Sequence, residues 1–224
     1  PFVSKATTRP LAKIGARVMA GRSLSEQGIH GVIRPEYYSV KEAVFPFIKF
    51  PGVDPLLGPE MKSTGEVMGI GMTFGEAYRK AQRATGLVIP KSGTVLISVR
   101  TADQGSVIDI ARYLSDNGFA LEATEGTAHA LSRAGLKVRI VNKVSEGRPH
   151  VVDNIKNGEY DLIVNTTASQ HSRQDSETIR RQALTHKVTY FTTLAAARAA
   201  CEAHRAGNDA SVNRLQTLHQ TVTQ

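Results

Sequence analysis

Five apolar runs in the second half of the chain end on, or lead into, short polar residues. Ser98 lies near the end of TVLISV, and Thr124, Gly126 and Thr127 stand at and just beyond the end of FALEAT. Asn142 closes KVRIVN with Lys143 next, Asn165 and Thr166 close YDLIVNT with Thr167 next, and Thr192 and Thr193 close VTYFTT. Hydroxyls, amides, one glycine and one lysine are what a phosphate ester needs: hydrogen-bond donors, close backbone approach and a full positive charge. Ser, Thr and Asn are also the preferred helix N-caps, and at any single position capping is the plainer explanation. Recurrence after all five runs favours an anion site. No GxGxxG or GxxxxGK[ST] motif is present, so dinucleotide and P-loop readings have no support.

Catalytic constellations are thin. Cys201, the one cysteine, lies in an Ala-rich helical segment and is expected to pack rather than react. The seven His are scattered without an HExxH or similar spacing, so no metal site is expected. His150 follows EGRP and reads as a helix-cap residue. Asp103, Asp109, Asp116 and Glu122 form no paired pattern suited to acid and base work. A phosphate pocket without a nucleophile or base reads as a binding site, with a regulatory role left open.

The elements that must position these residues follow from periodicity. From Gly93 onward, TVLISV, FALEAT, KVRIVN, YDLIVNT and VTYFTT are strands. They alternate with helices in SVIDIARYLSDNG, GTAHALSRAG, HVVDNIKNG, DSETIRRQALTHK and LAAARAACEAHRAG. Gly118 and Gly135 are the expected helix stops. Five strands alternating with five helices predict an α/β fold with a doubly wound parallel sheet of five strands. Ligands in such folds bind outside the carboxyl ends of the strands, where the polar residues stand. Residues 1–75 read differently, since Pro35, Pro46, Pro51, Pro55 and Pro59 preclude long helices between them. A helix from Leu11 to Gly21, extended segments at 43–50 and 63–71, and a helix over 73–85 with a Thr73–Glu76 capping box are expected there. Pro46 argues for an edge strand or bulge. The stretch 85–93 is the expected join, dividing the chain into 1–90 and 91–224.

Composition bounds the partners. The chain has 224 residues, 41% hydrophobic and 21% charged, which fits one or two folded domains and excludes wholesale disorder. Net charge is +8, with 12 Lys and Arg against 7 Asp and Glu over 1–90 and 16 against 13 over 91–224. No basic run or aromatic interleaving accompanies it, so nucleic acid is not an expected partner. No apolar run is long enough to span a bilayer, so no membrane partner is expected. Cysteine usage fits a reducing cytoplasm.

Several longer stretches carry a resemblance. FVSKAT, PLAKIGARVMAG, YYSVKEAVFPFIKFPGVDPLLGPEMKSTGEVMGIG, EATEGTAHAL, VNKVSEGRPH, IKNGEY, NTT and DSETIRRQAL together resemble the carboxyl-terminal end of the bacterial carbamoyl-phosphate synthase large chain. The resemblance covers nearly the whole chain and fades after Gly207. It implies that 1–90 is the α+β carboxyl-terminal end of the second, carbamoyl-phosphate-forming ATP-grasp half. It implies that 91–224 is a methylglyoxal-synthase-like allosteric domain. In that family the complete large chain makes carbamoyl phosphate from bicarbonate, glutamine-derived ammonia and two ATP, for arginine and pyrimidine biosynthesis. It uses ATP with Mg or Mn, and K, and works with a glutaminase small subunit. The start on Pro-Phe-Val, without Met, then reads as a cut inside a catalytic domain, with an E-x-N-x-R metal motif expected upstream. By itself the chain is expected to be inactive and to hold no catalytic residue, metal or cofactor.

Residue by residue, Ser98, Thr124, Thr127, Lys143, Asn165 and Thr167 match the family's contacts to its effectors UMP and IMP, and Thr166 belongs to the same strand end. For ornithine, Glu42, Leu57 and Thr192 match. Two departures remove positive charge: Gln104 stands where a phosphate-holding lysine is expected, and Gln170 and His171 replace a basic pair. Weaker nucleotide binding, or a different balance of UMP against IMP, is the expected consequence. The alternative reading is a methylglyoxal-synthase-like lyase acting on dihydroxyacetone phosphate. That chemistry needs catalytic aspartates beside the pocket, and Asp103 and Glu125 match no such pattern.

Overall fold

A computed structural model describes residues 1–45, 47, 62–63, 65–167, 170–207, 212–220 and 222, with the side chains of 170–174 outside the description. Its main feature is a five-stranded parallel sheet of β3 (Gly93–Ser98), β4 (Phe119–Thr124), β5 (Val138–Val141), β6 (Leu162–Asn165) and β7 (Thr189–Phe191). The strand order is β5-β4-β3-β6-β7. Val95, Leu96 and Ile97 of β3 are fully buried, as expected of a central strand covered on both faces.

Alternate residues supply two cores. Val95 and Ile97 pack with Val107, Ile110 and Leu114 around α4 (Ile108–Asp116) and with Leu131 of α5 (Glu125–Arg133). Ala197, Ala200 and Cys201 of α8 (Leu194–Arg205) join the same core. Leu96 and Ile163 point the other way, against Val151, Val152 and Ile155 of α6 (Val151–Lys156) and Ile179 and Ala183 of α7 (Gln170–Thr185). The chain therefore winds outward from β3 through β4 to β5, then crosses to the other face and winds through β6 to β7. The reversal falls between β3 and β6, where Ser98 is paired in register with Asn165.

The first part of the chain is a two-stranded antiparallel ribbon, β1 (Tyr38–Val44) with β2 (Gly65–Gly71), covered by α3 (Phe74–Ala84). Close approach of ribbon and helix requires glycine: a Cβ on Gly69 would lie 2.0 Å from the Ala77 carbonyl oxygen. Helix α3 also packs against α8 and so joins the two parts, and a Cβ on Gly75 would lie 2.4 Å from the Glu202 carbonyl oxygen. Two further helices, α1 (Phe2–Thr7) and α2 (Leu11–Met19), lie ahead of the ribbon, and α9 (Leu215–Gln220) lies near the end. No helix among the described residues is long and apolar enough to cross a membrane.

All five expected strands form. Gly118 and Gly135 end α4 and α5 with φ of 87° and 80°. Helix α7 begins at Gln170 rather than Asp175, because the polar run before Asp175 contains no helix breaker. The extended segment expected at 43–50 is displaced towards the amino end, where Tyr38–Val44 pairs with β2, and Pro46 lies outside the described residues. Thr73 caps α3, its hydroxyl accepting from the Glu76 amide at 3.2 Å. The return bond of the expected capping box goes one residue earlier, from the Met72 amide to Glu76 at 2.9 Å. Helices α1 and α9 had no counterpart in the sequence reading.

Candidate anion-binding site at the carboxyl ends of the sheet

The strand order reverses between β3 and β6, where doubly wound sheets have a crevice outside the strand ends, and here the loops after β3 and β6 and the start of α5 flank that place. Ser98 and Thr124 meet across β3 and β4 through a hydroxyl–hydroxyl bond of 3.2 Å. Thr124 is the N-cap residue of α5, yet its side chain makes no capping bond, leaving the first amides of that helix uncapped from within. Gly126 sits in the first turn, and a Cβ there would lie 3.3 Å from the Gln104 side-chain nitrogen. Gln104 thus reaches the helix start with a neutral amide.

Asn165 is the most informative member. Its side chain is 2% exposed, and its amide nitrogen donates to the Ser98 carbonyl at 3.2 Å. Its Oδ1 is buried without a partner among the described residues. An unpaired buried acceptor costs about 1–3 kcal/mol, and water or a ligand that brings a donor can satisfy it.

Other expected contacts are already engaged. The buried Thr127 hydroxyl accepts from the Val99 amide at 3.2 Å and donates to the Val99 carbonyl at 3.3 Å, locking α5 to the loop after β3. The Thr166 hydroxyl accepts from the Arg100 amide at 3.2 Å and donates to Asp103 Oδ2 at 2.7 Å. Thr167 follows, half-buried. Lys143 opens a short 3₁₀ turn over Val144–Glu146, with its ammonium 3.1 Å from Glu146 Oε1 and its amide donating to Glu146 Oε2 at 2.8 Å. Asn142 uses its amide within the same loop, donating to the Pro149 carbonyl at 3.1 Å. Thr193 caps α8, accepting from the Ala196 amide at 3.2 Å. Gln170 and His171 are the first two residues of α7.

The sequence reading missed Arg100 as a member of this group and found no role for Asp103. Arg100 Nε donates to Asp103 Oδ2 at 2.8 Å, and the same oxygen takes the Thr166 hydroxyl, so Asp103 ties the loop after β3 to the loop after β6. The bond from Arg100, with that from Thr166, outweighs burial and holds the Asp103 carboxyl below the usual carboxylate range. Their spacing, i and i+3, was the available signal.

The remaining candidates separate from this cluster. Glu42 lies half-buried on β1 and accepts from the Gln82 side-chain amide of α3 at 2.7 Å. Burial, partly opposed by that bond, raises its carboxyl above the usual range. Thr192 is exposed after β7, and Leu57 lies outside the described residues. Glu122 is a buried structural carboxylate bound by Arg139 Nε at 2.6 Å and Tyr160 OH at 2.8 Å. His150 caps α6, its Nδ1 accepting from the Asp153 amide at 3.3 Å. Burial pushes the Cys201 thiol up to about 11, as suits a packing residue. Among the described residues no three His, Cys, Asp or Glu side chains converge as metal ligands do. A groove of about 830 Å³ lies at the opposite, amino ends of β6 and β7, between the join at 85–90 and residues such as Asp161, His186 and Lys187.

Comparison with known proteins agrees with this architecture. Residues 106–192 match the family described as MGS-like domain. The chain is 59% identical over 222 residues, 99% of its length, to the carbamoyl phosphate synthase large chain of Vibrio parahaemolyticus. It is 59% identical over 219 residues to that of Pseudomonas putida and 55% over 223 residues to that of Ralstonia nicotianae. It spans 21%, 20% and 21% of those proteins, about a fifth of their length.

Proposed function

We propose that this chain, a relative along nearly its whole length of one segment of the carbamoyl phosphate synthase large chain, is the effector-binding region of such a synthase. The ligand of the carboxyl-end site is a nucleoside monophosphate, UMP or IMP. One observation carries this reading: Asn165 Oδ1 is buried with no partner among the described residues, on the same sheet edge as the uncapped start of α5. A phosphate dianion has no donor for that oxygen, whereas a sugar hydroxyl does. The ligand therefore combines a phosphate, for the α5 amides and Lys143, with hydroxyl-bearing carbon chemistry for Asn165.

In the same proposal, 91–224 is the allosteric domain and 1–90 the end of an ATP-grasp half. Ornithine binds through Glu42, Leu57 and Thr192 near their junction. Carbamoyl phosphate synthesis from bicarbonate, ammonia and ATP belongs to the complete protein with its glutaminase subunit. The divalent metal that accompanies ATP belongs, in the same proposal, to the complete protein.

Lyase chemistry at this site is disfavoured by Asp103. A general base needs a proton affinity matched to neutral pH, and the Arg100 and Thr166 bonds move Asp103 the other way. Titration with UMP and IMP, alongside an assay for methylglyoxal release from dihydroxyacetone phosphate, separates the readings. Saturable nucleotide binding without turnover is expected, and appreciable turnover overturns the proposal.

A further inference from the structure

Gln104 is neutral, so two cations border the site, and each meets one carboxylate: Lys143 with Glu146 at 3.1 Å and Arg100 with Asp103 at 2.8 Å. Arg100 stands two residues beyond Ser98, with its amide on Thr166 and its Nε on Asp103. Its side chain is 47% exposed, and among the described residues no hydrogen bond engages its two Nη nitrogens. A long, half-exposed side chain on the loop after β3 is thus anchored at one edge of its guanidinium, with the two Nη nitrogens left over. The anchoring reduces the rotamer freedom that binding would otherwise remove. The planar fork of arginine matches two phosphate oxygens at once, which a lysine cannot do.

We propose that Arg100 is the principal charged contact to the ligand's phosphate, supplying the cation that position 104 lacks, and that Asp103 positions it. The proposal rests on the nucleotide reading above. Asp103 also sets specificity, because its carboxylate repels an anion that reaches past the guanidinium towards Thr166. Phosphate is thereby confined to the Arg100, Gln104 and α5 side of the crevice, leaving Asn165 to the sugar.

Calorimetric titration of the 224-residue chain with UMP, IMP, uridine and inosine tests this, using the wild type, Arg100→Gln, Arg100→Lys and Lys143→Met. Arg100→Gln is expected to weaken both monophosphates tenfold or more while nucleoside binding changes less than twofold. Arg100→Lys is expected to fall between, because the charge survives and the fork does not. Monophosphate affinity within twofold of wild type in Arg100→Gln, with loss in Lys143→Met, overturns the Arg100 assignment and leaves the nucleotide reading standing. Equal losses for nucleotides and nucleosides show a merely structural role and also overturn it. No monophosphate binding by the wild type overturns both. Should Arg100→Gln not fold, the nucleotide-to-nucleoside affinity ratio of Arg100→Lys decides, an unchanged ratio counting against the proposal.

Discussion

Asn165, with a buried Oδ1 that has no partner among the described residues, and the Lys143–Glu146 ion pair are the strand-end groups whose substitution is most informative. Replacing Asn165 by Ala removes the unpaired acceptor together with one donor bond to Ser98 O, which still accepts from the Thr166 amide at 3.1 Å. Stability is therefore expected to change by less than about 2 kcal/mol, while monophosphate affinity falls at least about tenfold. Denaturant titration and calorimetry read the two effects separately. Glu146→Gln retains an oxygen to accept from the Lys143 amide but frees the ammonium from its counter-charge. A several-fold gain in nucleotide affinity is expected, shrinking as salt rises. Glu42 makes a prediction in pH. Its folded-state affinity for a proton is raised by burial, so the folded state binds more protons than the unfolded one above the ordinary carboxylate range. Its contribution to stability is lost as pH rises through that window. Glu42→Gln should therefore gain on the wild type as pH is raised from about 4 to 7, in urea titrations at both pH values.

At the scale of elements, two glycines in helices should behave oppositely. Gly15 in α2 faces open space, so Gly15→Ala is expected to stabilise by about 0.5–1 kcal/mol. Gly75 lies where α3 meets the backbone of α8, so Gly75→Ala is expected to destabilise by about 1–3 kcal/mol. Thr73→Ala removes the α3 cap and should cost about 1 kcal/mol. Thermal unfolding of the three variants checks these signs. The five strands were legible because continuous apolar runs bounded by Gly, Asn and Asp leave few alternatives, as in TVLISV and YDLIVNT. Helix α1 escaped notice because six residues carry too little periodicity to stand out. The β1 boundary was placed late because pairing with β2, a contact between distant residues, selects Tyr38–Val44, whereas local propensity drew attention to the aromatic run after it.

For the whole molecule, the ribbon with α3 is fixed to the sheet domain through α8, which begins at the strand end carrying Thr192 and Thr193. The strand-end residues at the crevice were legible because parallel topology forces carboxyl ends together. Their division of labour was not. Sequence types alone could not show that Thr127 and Thr166 spend their hydroxyls on the backbone and Asp103 while Asn165 Oδ1 has no partner among the described residues. The central claim is that a nucleoside monophosphate binds at the carboxyl ends of β3, β4 and β6. Amide chemical-shift mapping by ¹H–¹⁵N NMR, during titration of the chain with UMP and with IMP, tests it most directly. Saturable shifts at Ser98–Arg100, Gln104, Thr124–Thr127, Lys143 and Asn165–Thr167 are the predicted result. Absence of shifts with both nucleotides, or shifts centred on Thr85–Val88, Asp161 and Lys187 at the opposite end of the sheet, would contradict it.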